Sequence, residues 1–107
     1  MPFDTFEVAL ELVGELGQVI GKVASHDPDL ARQLRRAATS VPLNISEARR
    51  RVGKDLLHLF RIAAGSTAEV VACLKVAQAW RQLEAEQVVA ALGFADRLLA
   101  MLWRQTH

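Results

Sequence analysis

The polar residues of the first stretch fall at positions 4, 7, 11, 15, 18 and 22: Asp4, Glu7, Glu11, Glu15, Gln18 and Lys22. Steps of three and four, at 100° per residue, put all six on one narrow stripe of an α-helix. Apart from Thr5, everything between them is apolar or glycine. A polar stripe that narrow needs apolar contact on more than one side, which is more than a lone bundle of four helices supplies. Gly14, Gly17 and Gly21 share one flank of the same helix, at about 1 kcal/mol each in helix propensity. Small residues there admit either a helix of another subunit or a tight contact within this one.

Helical spacing continues to the end of the chain, and nothing reads as a strand. The spacing predicts four helices, over about residues 3–24, 28–51, 54–81 and 84–105. Ser25-His26-Asp27-Pro28 reads as the first turn, with Asp27 as N-cap, Pro28 as first helical residue and His26 on a surface loop. In the second helix Leu30, Leu34, Ala37, Ala38, Val41, Ile45 and Ala48 form the inward face. Pro42 lies inside it and costs about 3 kcal/mol if nothing compensates; Thr39 and Ser40 offer nearby hydroxyls, and one kinked helix is expected. Gly53 stands where a C-cap glycine belongs. The third helix repeats the narrow stripe with Lys54, His58, Arg61, Gly65 and Glu69, and Gly65-Ser66 suggests a close helix crossing. The fourth, opened by Glu84 and Glu86, would turn Val88, Leu92, Ala95, Leu99 and Leu102 inward. Phe94 and Met101 on its other face, with Trp103, point to partner contact.

These 107 residues make one domain, residues 1–107. Hydrophobic residues are 51% and charged residues 23% of the chain. That surplus reads as surface reserved for partner subunits. Net charge is only +1, but its distribution is uneven. Residues 1–31 set six acids against Lys22 alone, a net −5, whereas residues 32–54 set Arg32, Arg35, Arg36, Arg49, Arg50, Arg51 and Lys54 against Glu47, a net +6. The lone Cys73 excludes an intrachain disulfide and a cysteine-built metal site and fits a small core residue. No secretory signal pattern opens the chain, and no uninterrupted apolar run reaches the ~18 residues of a membrane span. A cytoplasmic protein of bacterial type, with no cofactor, no metal and no membrane partner, is the expectation.

Residues 33–47, Gln33-Leu34-Arg35-Arg36-Ala37-Ala38-Thr39-Ser40-Val41-Pro42-Leu43-Asn44-Ile45-Ser46-Glu47, carry a recognisable run. Ala63-Ala64-Gly65-Ser66-Thr67-Ala68-Glu69 follows at the matching separation. Together they resemble the bacterial four-helix bundle proteins associated with the intervening sequences of 23S ribosomal RNA genes, over about residues 20–100. The resemblance implies an all-α, up-and-down four-helix bundle that assembles into a ring-like homopentamer. That family is similar to the accessory protein of diversity-generating retroelements, a pentamer whose basic surface engages a reverse transcriptase and nucleic acid. A nucleic-acid enzyme is therefore one implied partner. The chain departs from the pattern at Ser46, where alanine is usual, and at Ala48, where glycine is common. The lost glycine predicts a longer second helix.

Three arrangements of residues bear on function. Arg32, Arg35, Arg49, Arg50, Arg51 and Lys54 form a candidate surface for RNA or DNA, since guanidinium groups pair well with phosphate oxygens. The same arginines could instead meet the acidic first helix of a neighbouring subunit, head to tail, or serve a protein-partner adaptor without nucleic-acid contact. No aromatic residues interleave with them, so base stacking is not supported. Arg36, Ser40, Asn44 and Glu47 advance by four, four and three, and Ser66 and Glu69 could face them. This set reads as a structural polar network in which Glu47 or Glu69 pairs with Arg36. Arg51 and His58, with six residues between them, match the spacing of helical ribonucleases that use an arginine–histidine pair. Val52 stands where such enzymes carry a polar residue. The sequence therefore favours a non-catalytic oligomeric binding protein.

Overall fold

The computed structural model describes residues 4–107. Four helices follow one another: α1 (Thr5–His26), α2 (Pro28–Ala48), α3 (Gly53–Ala79) and α4 (Ala85–Thr106). Each packs on the next, and α4 returns to α1, closing an up-down-up-down bundle. The described residues extend 42 × 28 × 19 Å. The long dimension matches the ~40 Å rise of a 27-residue helix such as α3.

The helix starts are set by side chains. Asp4 Oδ1 accepts from Glu7 N at 2.8 Å and caps α1. Asp27 serves two helices at once. Its backbone N–H donates to Val23 O at 2.7 Å, closing α1, and its Oδ1 accepts from Leu30 N at 3.0 Å, opening α2 ahead of Pro28. The turn is therefore shorter than expected, and His26 is the exposed last residue of α1 rather than a loop residue. Residue 3, where the first helix was expected to begin, lies outside the described residues.

α2 runs through Pro42 as a single element, as expected, with the ring itself buried. It does not extend to residue 51, however. Arg50 N and Arg51 N donate to Glu47 O and Ala48 O, both at 3.0 Å, in three-residue steps that tighten and end the helix. Val52 is then extended and Gly53 takes φ +60, a conformation that favours glycine. The antiparallel return of α3 imposes this reversal, so the missing glycine at position 48 does not lengthen α2. At the far end of α3, Gln82 N reaches Ala77 O and Arg81 N reaches Gln78 O, both at 2.9 Å. Arg81, at φ 62, occupies the left-handed position usually given to glycine. This stop comes at Ala79, two residues before the expected end.

The core unites Leu12, Leu16, Leu34, Ile45, Val70, Leu74, Leu98 and Leu102, all fully buried. Cys73 lies in it, as expected, and burial, with Glu69 a smaller influence, pushes its thiol pKa up. α4 is turned slightly from the expected phase: Ala91 and Leu98 are buried while Leu92 and Leu99 are half-buried. A helix that packs against both α1 and α3 centres its buried face between them. Polar contacts tie the helix pairs. Gln105 Nε2 donates to the buried Thr5 Oγ1 at 2.6 Å at one end of the α1–α4 pair. Gln87 Oε1, at the other end, accepts from Lys22 Nζ at 3.0 Å and from Glu84 N at 2.8 Å.

Much apolar surface stays outside this core. Leu10, Leu43, Ile62, Val76 and Val89 are exposed, and Trp80 and Trp103 are 70% and 62% exposed. By length and composition α3 is apolar enough to cross a membrane, although it stands here as one wall of a bundle with only its inner face buried. Phe94 and Met101 are half-buried against the core, so of the three α4 residues expected to meet a partner only Trp103 stands clear, stacked on His107 at 3.4 Å. Gly14, Gly17 and Gly21 are exposed, and a Cβ added at any of them would meet nothing within 4 Å. The tight contact within the subunit that their spacing allowed is not made by any of the described residues.

Candidate nucleic-acid interface

The arginines of the second helix were expected to act as one cluster. The structure sorts them by partner. Arg32 pairs with the exposed Asp29 one turn before it. Arg49 Nη2 lies 3.0 Å from Asp4 Oδ1, and its guanidinium sits 5.4 Å from the centre of the Phe6 ring. It therefore clamps the end of α2 to the start of α1. The cap to Glu7, followed by Arg49, holds the Asp4 carboxyl below the usual carboxylate range. Arg51 donates from Nε and Nη2 to Glu47 Oε1, at 3.0 and 2.6 Å. That bond lowers the pKa of Glu47 and raises that of Arg51.

Arg35, Arg36 and Lys54 form no ion pair or hydrogen bond among the described residues, and neither does Arg50 by its side chain. Arg35 and Arg36 share a groove of about 510 Å³ on the outward side of α2 with Arg32, Thr39, Ser40, Leu43 and Asn44. Helical spacing makes this lining inevitable, because positions 32, 36, 39 and 43 advance by four, three and four. Leu43, one of the lining residues, is 63% exposed. Arg35 also borders a second hollow toward α1, lined by Val13, Gly17 and Ile20.

The expected polar network is present in part. Ser40 Oγ and Ser66 Oγ stand 2.8 Å apart across α2 and α3, which makes Ser66 the close crossing its glycine neighbour had suggested. Asn44 Nδ2 donates to Ser40 O at 2.8 Å and to Ser40 Oγ at 2.9 Å. Arg36, Glu47 and Glu69 are not members. Glu47 takes Arg51, four residues ahead on the same side of the chain, instead of Arg36 eleven behind. Glu69 is exposed, without an ion pair among the described residues. Arg36 thus moves from the network to the groove, joined by Thr39 and Leu43, which the charge pattern alone did not mark.

Arg51 and His58 do line one pocket, of about 210 Å³, with Glu47, Asp55 and Leu59. The guanidinium that a ribonuclease would turn on phosphate is occupied by Glu47 here, and two carboxylates line the same space. Among the described residues no group of three or more His, Cys, Asp or Glu could hold a metal ion.

The model of the 23S rRNA-intervening sequence protein family matches residues 3–104. The chain belongs to that family. A solved neighbour agrees with the fold: a protein of unknown function from the S23 ribosomal protein family of Bacteroides thetaiotaomicron superposes with a TM-score of 0.88. The two are 17% identical over 96% of this chain and 98% of that one. No curated protein matches the sequence. Membership thus accounts for the four-helix bundle and for the two motifs, which the bundle places across the α2–α3 contact at Ser40 and Ser66.

Proposed function

We infer that this protein is a non-catalytic, oligomeric bundle that binds RNA or DNA through the outward face of α2. One observation carries the reading: Arg35 and Arg36, without an ion pair or hydrogen bond among the described residues, stand side by side in an open groove on α2, whereas Arg32, Arg49 and Arg51 are each paired with a carboxylate. Unpaired guanidiniums can turn onto phosphate oxygens without breaking an existing ion pair, whereas Arg49 and Arg51 would first have to release a carboxylate. Repetition of the groove around a homo-oligomer, a pentamer if the resemblance holds in full, would raise its avidity. The exposed glycine flank of α1 and the apolar exterior of α3 support such an assembly. An intracellular setting would follow from that role.

Fluorescence anisotropy with labelled RNA and DNA at several salt concentrations tests the reading. Binding should weaken steeply with salt, and charge reversal at Arg35 and Arg36 should abolish it. Reversal at Arg49 and Arg51 would act mainly on stability. Intact binding by the Arg35→Glu, Arg36→Glu variant would remove the groove from the site. The free Leu43 supports a second reading, in which the same groove docks a protein partner such as a nucleic-acid enzyme. Then the isolated chain would bind no nucleic acid at any salt concentration.

A further inference from the structure

The outward side of α2 carries positive charge at both ends. Arg32, Arg35 and Arg36 stand in its first half, and Arg50 and Lys54 stand in and just past the turn that follows it. Fourteen positions separate Arg36 from Arg50, or about 20 Å at 1.5 Å per residue. Of the carboxylates near this line, Asp29 is paired with Arg32 and Glu47 with Arg51, and Asp55 stands beside the second cluster without an ion pair among the described residues. No other acid lies between Arg36 and Arg50.

The spacing selects among polyanions. A free phosphate or a single carboxylate meets one cluster only. A single strand would have to be ordered over the whole distance, and proteins that hold single strands offset that cost by stacking bases on aromatic rings. None of the residues lining the groove is aromatic. A duplex, with a persistence length of about 150 base pairs, presents phosphates already fixed over 20 Å. Its base edges stay out of reach. α2 is flanked by α1 on one side and α3 on the other, so it cannot enter a major groove only ~12 Å wide. Asn44, the one side-chain amide in the groove, has its Nδ2 donors committed to Ser40.

We propose that the outward side of α2 is a two-ended site for the phosphate backbone of duplex nucleic acid, engaged without sequence preference. The proposal rests on the nucleic-acid reading above and narrows it.

Anisotropy on the full chain in its own assembly state, with hairpin-closed duplexes of about 5 and about 12 base pairs, tests it; at ~3.4 Å per pair these span roughly 17 and 40 Å. The longer duplex should bind about tenfold more tightly, because the second cluster adds an intramolecular contact. Single strands of the same length should bind more weakly than the duplex, and unrelated duplex sequences equally. Arg50→Ala with Lys54→Ala, both exposed in the native fold, should bring the longer duplex down to the affinity of the shorter and reduce the salt slope by about 2. Circular dichroism of the variant should be unchanged. Tighter binding of single strands, a marked sequence preference, length independence, or indifference to the Arg50/Lys54 variant would overturn the two-ended duplex site. In those cases loss of binding on Arg35→Ala with Arg36→Ala would leave the broader reading standing. Absence of binding to every nucleic acid would remove both.

Discussion

Arg36 lies eleven residues, about 16 Å of helix, from Glu47, which pairs instead with Arg51. Glu47 and Arg51 lie four residues apart, the separation at which side chains on a helical turn meet. That pairing leaves Arg36 to the groove, and it has a pH signature together with Asp4. Both carboxyls are held below their ordinary values of 4.5 and 3.8, Glu47 by Arg51 and Asp4 by its cap to Glu7 and by Arg49. A depressed carboxyl stabilises the fold above its unfolded pKa and ceases to do so as pH falls through the folded one. Thermal unfolding should therefore be flat above pH 5 and move to lower temperature from about pH 4.5 downward. Because both groups are exposed, the loss should be modest. Asp4→Asn with Glu47→Gln should shallow that acid limb while leaving the arginine groove intact. An unchanged acid limb in the double variant would show that neither pair matters to stability. The Asp27-Pro28 helix start was legible in the sequence, whereas Glu47 was expected to pair with Arg36 although Arg51 stands at the i, i+4 position. The Asp4–Arg49 clamp was not, because it joins residues far apart in the chain that only the packing of α1 on α2 brings together.

Among the elements, α1 shows how far a pattern can be read before packing must decide. Its narrow polar stripe and its glycine flank are plain in the sequence, and they allowed a contact inside or outside the subunit. The open space around Gly14, Gly17 and Gly21 removes the inner contact. Three glycines inside a helix, each with room for a methyl group, are a cost of about 1 kcal/mol apiece with no return in the isolated chain. Gly14→Ala, Gly17→Ala and Gly21→Ala together should thus raise the thermal midpoint of a monomeric form. If another helix lies against this flank, the same variant should lose that association. Calorimetry and light scattering on one sample read the two effects separately. A variant that is more stable and unchanged in mass would clear the flank of any role in assembly. The end of α2 was less legible than α1, because it depends on where α3 must turn back to reach its place beside α2. Composition at Ala48 could not register that requirement.

At the scale of the whole molecule, the hydrophobic surplus has been only partly absorbed. Four helices bury one continuous core, yet α3 keeps most of a membrane-like composition on its outer side, and two tryptophans stand in solvent at opposite ends of the bundle. Trp80 closes α3 at the end where α4 begins, and Trp103 lies near the end of α4, where Gln105 meets Thr5. Aromatic side chains of this size are the groups that association most often covers. The proposed assembly therefore predicts a mass that is a multiple of 11.8 kDa at micromolar concentration. It also predicts tryptophan emission that shifts to the red as dilution separates the subunits. Trp80→Phe and Trp103→Phe, made singly, would show which end of the bundle is covered. If only the Trp103 signal moves with concentration, the α1–α4 end lies in the interface. If only the Trp80 signal moves, the contact is at the α3–α4 turn, the end of the bundle that also holds the start of α2. A chain that stays at its monomer mass, with both tryptophans wet at every concentration, would end the oligomer reading. It would then leave the groove on α2 to act with the affinity of a single copy.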